Sequence, residues 1–307
     1  MAELILSVLG LCLFEVVSSI DNAVVNADIL ATMSKKWRKW FLIWGIFLGV
    51  FLVRGLLPWL IVWMAHPQIG MWGALTATFS ENAEIQSALE HSSPLLLMGG
   101  GIFLVFLFFH WLFLEYKEFG LPVERFFSRQ GVWFFAVVSI ALTVIIWLAL
   151  KRDPLLAFAA SVGSSVFFIT HGFKEQAARA ELELRKQGRM SDISKLMYLE
   201  VLDATFSIDG VIGAFAFTMS VPIIMLGNGL GAVVVRELTI RGVDRIKQYP
   251  YLKNGAMYSI FFLGSFMLLE SFGIEVPHYA APAITFILIG LFFVLSLKRR
   301  KLENCIK

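Results

Sequence analysis

Hydrophobic positions fall along this chain in nine runs, 4–31, 40–64, 95–115, 132–150, 154–171, 196–219, 222–240, 254–272 and 280–297, separated by shorter polar stretches. Each run is about as long as an α-helix needs to be to cross the hydrocarbon of a bilayer, which takes roughly 20 apolar residues. Polar side chains inside the runs concentrate in the first, at Glu15, Ser18, Ser19, Asp21 and Asn22, and in the sixth, at Asp203, Thr205, Ser207 and Asp209. With 58% hydrophobic and 16% charged residues among 307, the chain is too apolar for a soluble globular protein of this size. The pattern predicts an all-α polytopic membrane protein of about nine transmembrane helices. The first run is expected to be a retained helix rather than a signal peptide, because Met1-Ala2-Glu3 carries no basic side chain and the run contains Glu15 and Asp21.

Basic residues sort by membrane side. The 32–39, 116–131, 172–195 and 241–253 segments and the tail from Lys298 hold 22 of the 26 Lys and Arg. The alternate connections hold only Lys151 and Arg152, while Arg54 and Arg236 lie within helices. Cytoplasmic loops carry the basic excess, so the N-terminus is expected outside and the C-terminus inside, which an odd count of nine satisfies. The formal charge of +3 is thereby explained without a nucleic-acid partner. Cys12 lies in the first helix and Cys305 in the tail, so no disulfide framework is implied.

Helices one to three recur as helices six to eight. Glu15 and Asp21 are spaced as Asp203 and Asp209 are, with Ser-Ile before the second acid of each pair. Gly45, Gly49 and Arg54 match Gly227, Gly231 and Arg236, and Gly100 with Leu114-Glu115 matches Gly255 with Leu269-Glu270. Five helices separate the first from the sixth, so the two three-helix copies are expected to be inverted in the membrane, a transporter architecture with its site at the repeat interface. The chain then divides into a first repeat, 1–115, with an acidic outer connection at 65–94 that contains an amphipathic stretch from Glu81 to Glu90. Linking helices four and five and a cytoplasmic helix extension follow at 116–195, then the second repeat at 196–272, and helix nine with a basic tail at 273–307.

A charge near the bilayer centre costs at least about 2.5–3.5 kcal/mol, so the four acids mark a functional site. The candidate metal ligands are Glu15, Ser19, Asp21, Asn22, Asp203, Ser207 and Asp209. No Cys or His cluster accompanies them, and hard oxygen donors suit Mn²⁺, Mg²⁺ or Ca²⁺ better than copper or zinc. On a regular helix Glu15, Ser19, Asn22 and Asn26 share a face, with Asp21 about 120° away from Glu15. Either Asp21 and Asp209 face each other across the repeat axis, or the helices unwind locally, which Gly210 and Gly213 make easier in the second copy. The structural alternative is packing, with the acids bound to Ser, Thr or Arg of neighbouring helices.

Depth pairs Arg54 with Glu270, and Arg236 with Glu115 or Glu237, as gate or strut ion pairs; snorkelling to the interface is the plainer reading. The Gly45/Gly49 and Gly227/Gly231 pairs fit close helix contacts. His66, His91 and His278 are expected on the outer side, and His110 and His171 within or at the ends of helices, placed to shuttle protons.

The Ser-Ile-Asp-Asn-Ala segment at 19–23 with its Glu15, together with Asp203 and Asp209, resembles the TerC family of bacterial integral membrane proteins. The length is similar to that of its longer, nine-helix branch. The second motif departs from the first at Gly210, where the first has Asn22, so a ligand role carries to Asn22 alone. The resemblance implies a bacterial inner-membrane protein associated with export of manganese and related divalent metals, and with tellurite resistance. The expected function is a secondary transporter of a divalent metal ion, with no permanently bound cofactor and lipid as its surroundings, rather than an enzyme. No Gly-x-x-x-x-Gly-Lys motif is present to supply ATP drive. The alternatives are an intramembrane aspartyl hydrolase using Asp21 and Asp209, and a non-transporting metal sensor or scaffold.

Overall fold

A computed structural model of the chain describes residues 2–41, 44, 54–65, 67–76, 83–117, 119–187, 191–241 and 248–306. The described residues are helical throughout, without strands: α1 (Ala2–Ser18), α2 (Ile20–Ala31), α3 (Lys35–Trp40), α4 (Arg54–Ala65), a 3-10 turn at Pro67–Ile69, α5 (Gly70–Thr76), α6 (Ala83–Leu114), α7 (Pro122–Ser128), α8 (Trp133–Leu150), α9 (Pro154–Gln187), α10 (Asp192–Ala214), α11 (Val221–Arg241), α12 (Leu252–Ser271) and α13 (Ala280–Ile306). Six of them contain stretches long and apolar enough to cross a membrane: Ser93–Leu114, Trp133–Leu150, Pro154–Phe173, Val221–Thr239, Leu252–Ser271 and Ala280–Arg300.

The other three predicted runs differ from these for identifiable reasons. Run 4–31 is divided into α1 and α2 at Ser19, and run 196–219 lies in α10, which carries Glu200, Asp203 and Asp209 and ends at Ala214. Residues 42–43 and 45–53 of run 40–64 lie outside the described residues, which take up again at α4. The stretch predicted as a separate amphipathic segment before residue 90 is, from Ala83, the start of α6, which runs on through Pro94. The cytoplasmic extension is seen as the continuation of α9 to Gln187.

Local chemistry sets the helix ends. Ser191 caps α10 by accepting the Ser194 N–H at 3.2 Å, with Asp192 in the first turn against the helix dipole. Gly273, at φ 69°, ends α12 in the left-handed conformation, and the Ile274 and Gly273 N–H groups return to the carbonyls of Leu269 and Glu270.

Contacts between helices fix their directions. Gly101 meets Leu268, Leu104 meets Gly264, Phe108 stacks on Phe261 and Trp111 on Tyr258, so α6 and α12 run antiparallel. Gly10 meets Phe217, Phe14 meets Gly213 and Glu15 meets Gly210, so α1 and α10 are antiparallel as well. Leu11 against Gly227 and Glu15 against Gly231 make α1 and α11 parallel. The first and sixth predicted helices, and the third and eighth, thus run in opposite directions. The main core gathers Phe103, Phe106, Phe134, Phe167, Leu263 and Met267 from α6, α8, α9 and α12.

Candidate functional site

The antiparallel crossing extends beyond α1 to the whole of α1 and α2. Ile29 and Leu30 share a cluster with Leu199, Met33 with Leu196, and the Ser34 N–H reaches the Asp192 carboxylate at 3.3 Å. One register therefore holds from Gly10 beside Phe217 to Ser34 beside Asp192. Within it Ser19 and Ser207 come about level, at the centre of the four acids. Glu15 and Asp209 come nearly level on one side of that centre, and Asp21 and Asp203 on the other. Six residues of helix, about 9 Å, separate the two tiers. By this register the Asp21 backbone stands within about one turn, roughly 5 Å, of the level of Asp209, and the Asp21 side chain lies outside the described residues.

In the first tier, Glu15 is fully buried where α1, α10 and α11 meet. Its Oε1 accepts the Ser19 hydroxyl at 2.9 Å. Its side chain fits only because Gly210 and Gly231 have none: a Cβ on Gly210 would lie 2.6 Å from Oε2, and one on Gly231 2.6 Å from the Glu15 Cβ. Asn228 of α11, also fully buried, extends Nδ2 toward the Gly210 carbonyl at 3.5 Å, and its Oδ1 has no hydrogen-bond partner among the described residues. Asp209 is partly buried, with Oδ1 enclosed. The helix break falls in the first copy, at Ser19, while α10 runs unbroken past Gly210 and Gly213. Those glycines serve the close approach of Glu15 and Phe14, not unwinding.

In the second tier, Asp203 is 5% exposed and its Oδ2 lies 3.7 Å from the guanidinium of Arg236, whose same nitrogen is 3.9 Å from Glu200. Arg236 also donates to the Phe41 carbonyl at 2.7 Å and stacks over the Phe41 ring at 4.3 Å. Ser207, 2% exposed, donates its hydroxyl to the Asp203 backbone carbonyl at 2.6 Å. Asn26 is buried at this end, level with Glu200, and its Oδ1 has no hydrogen-bond partner among the described residues. Asp21 and Asn22 lie on α2, and their side chains are outside the described residues.

The expected gate pairings change accordingly. Arg236 meets Asp203 and Glu200, because α11 packs beside α10 at that depth, and Glu115 pairs with Lys253 instead of Arg236. The Arg54 side chain lies outside the described residues. Glu270 lines a cavity of about 940 Å³ at the far end of the bundle, together with Glu275, His278 and Phe217. Phe14, packed on Phe217 at 5.8 Å between ring centroids, stands between that cavity and Glu15. At the opposite end the cluster of Ile29, Leu30, Met33, Phe41, Leu196 and Leu199 covers the second tier.

Sequence reasoning missed Asn228 and Glu200. Asn228 was signalled only by an amide between Gly227 and Gly231, and Glu200 only by a third acid in the sixth run. Among the described residues no three His, Cys, Asp or Glu side chains are grouped as a metal site, so a cation here would need the amide and hydroxyl oxygens too. His110 and His171, from α6 and α9, are in contact at 3.7 Å between ring centroids, away from the acids and among Phe134 and Phe167.

Fold and site together define an all-helical, multi-pass membrane protein with buried carboxylates on two opposed helices. The chain belongs to the family described as a protein of unknown function (DUF475), which it matches over residues 20–303. It is also similar to an uncharacterized membrane protein, YceF, of Bacillus subtilis (strain 168), 29% identical over 99 residues that make up 32% of this chain and 37% of that protein. An uncharacterized membrane protein of Rickettsia conorii (strain ATCC VR-613 / Malish 7), RC1219, is 26% identical over 107 residues, 35% of each chain. The chain thus spans little more than a third of the length of these relatives. No solved structure matches it.

Proposed function

We propose that this protein is a secondary transporter that exports a divalent metal ion, manganese being the ion that the TerC resemblance implies. The observation that carries the reading is the antiparallel crossing of α1–α2 with α10, which stacks four acid positions in two tiers around Ser19 and Ser207. Burying Glu15 and Asp203 is costly in a membrane protein unless a charge is to be handled there. The donors fit a hard dication: carboxylates of Glu15 and Asp209 with the Asn228 amide oxygen in one tier, and Asp203 and Asn26 in the other. Buried carbonyl oxygens without a partner call for an explanation, and a coordinated cation supplies one.

In this reading the ion steps about 9 Å between tiers. Arg236 holds Asp203 and Glu200 neutralised, and an arriving dication competes with the guanidinium for them. Phe14 and Phe217 close the path toward the cavity lined by Glu270, and the Ile29–Leu199 cluster closes the other end, an occluded state. Carboxylates that lose protons as metal binds couple metal flux to proton flux. In this reading the protein sits in the bacterial plasma membrane, as the TerC resemblance implies, with the N-terminus outside, as the distribution of basic residues suggests.

Against an aspartyl hydrolase stands the companion acid six residues before each Asp, Glu15 and Asp203, which a proton-sharing pair does not need. The test is saturable Mn²⁺ uptake into liposomes carrying the purified protein, with a peptide-cleavage assay alongside. Uptake that Glu15→Gln and Asn228→Leu each abolish, without cleavage, supports transport. Metal binding without uptake would replace it with the scaffold reading.

A further inference from the structure

A second site lies at the end of the bundle that carries most of the basic residues. Between the end of α6 and α7 is a pocket of about 510 Å³ lined by Leu114, Tyr116, Lys117, Arg125, Ser128 and Arg129. We propose that it binds the phosphate-bearing headgroup of an anionic membrane lipid.

Its charge is one-sided. Arg125 and Arg129 stand one helical turn apart on the same face, both exposed, and no carboxylate among the described residues lies within ion-pair distance of either. Lys117 lines the wall with its ammonium held on the Trp111 carbonyl and over the Trp111 ring, 3.5 Å from its centroid. Among the described residues, two acids adjoin the pocket. Glu115 pairs with Lys253. Glu124, fully buried, accepts the Leu121 N–H at 2.8 Å and the Asn254 side-chain amide at 2.6 Å, and it lies near enough to Lys117 to offset part of that charge.

The contact with Asn254 ties α7 to α12 and so fixes the short helix from which both arginines extend. Arginine forks recognise phosphate through paired hydrogen bonds.

Depth selects a lipid rather than a soluble anion. Leu114, in the pocket wall, ends one membrane-crossing stretch, and Trp133 begins the next. The exposed rings of Tyr116 and Trp133 are where interfacial anchors sit. Val123 and Phe126 expose their side chains from α7 on a face apart from the arginines, so the short helix lies in the membrane surface with its apolar side toward the acyl chains. Basic pockets between helix ends at this level bind anionic headgroups.

The experiment is native mass spectrometry of the full-length protein released from phosphatidylcholine vesicles containing phosphatidylglycerol, with unfolding in detergent as a check on folding. The wild type is expected to retain phosphatidylglycerol over phosphatidylcholine, and Arg125→Gln/Arg129→Gln to lose about thirty-fold in retention. Arg125→Lys/Arg129→Lys is expected to keep part of it, and Arg300→Gln, in the basic tail, all of it. Equal retention by the Gln variant, or equal loss in Arg300→Gln, would overturn the site. Displacement of the lipid by inorganic phosphate would reassign it to a soluble anion.

Discussion

Arg236 is 7% exposed, and its guanidinium lies 3.7 Å from Asp203 and 3.9 Å from Glu200. Removing one partner of a buried pair leaves a charge uncompensated, at about 3–5 kcal/mol. Arg236→Gln is therefore expected to lower stability in detergent by about 3 kcal/mol, and Arg236→Gln/Asp203→Asn to recover most of it, as a double-mutant cycle of thermal unfolding would report. At Glu124, in the loop outside the membrane-crossing stretches, burial raises the carboxyl above its usual 4.5, against the lowering effects of the Leu121 N–H, Tyr258, Asn254 and Lys117. The native state then holds this proton more tightly than the unfolded chain, so the contribution is complete below pH 4.5 and is lost as pH rises through the native value. Unfolding measured from pH 4.5 upward should show stability falling, with a flatter slope in Glu124→Gln. The acids themselves were legible in the sequence because hydrocarbon makes each conspicuous. Their partners were not, since an ion pair between Arg236 and Asp203 depends on which faces of α10 and α11 meet, and spacing along one helix does not specify that.

Small residues govern how closely the helices approach. A Cβ on Gly163 of α9 would collide with the backbone of Gly99 in α6, whereas one on Gly172 would meet nothing within 4 Å. Gly163→Ala is expected to destabilise by about 1–3 kcal/mol through overpacking, and Gly172→Ala to be neutral or stabilising by up to about 1 kcal/mol. Thermal unfolding of the two variants in one detergent separates them. The same logic bears on the suggestion that Gly210 and Gly213 ease local unwinding. A glycine read alone suggests freedom to unwind, yet Gly210 and Gly213 are filled by Glu15 and Phe14, and the turn at Ser19 interrupts α1–α2 instead. The repeat was legible through its matched acids, glycines and arginines. The register of α1–α2 on α10 was not, because it is set by apolar contacts at both ends, from Phe217 to Leu196.

For the molecule as a whole, the positive-inside pattern makes a statement about sidedness. Tyr116 and Tyr279, both exposed, lie at opposite ends of the bundle, the first beyond α6 and the second just before α13. In a background lacking Cys12 and Cys305, a membrane-impermeant thiol reagent applied to intact cells should label Tyr279→Cys and spare Tyr116→Cys; the reverse would invert the orientation. The acids lie between two apolar closures, Phe14 with Phe217 and the Ile29–Leu199 cluster, as an alternating pathway caught shut would place them. The most direct measurement is saturable Mn²⁺ flux into proteoliposomes for the wild type, Asp209→Asn and Asp192→Asn, the last a surface acid hydrogen-bonded to Ser34. The account predicts flux in the wild type and in Asp192→Asn and none in Asp209→Asn, with all three proteins folded. Undiminished flux in Asp209→Asn would contradict it.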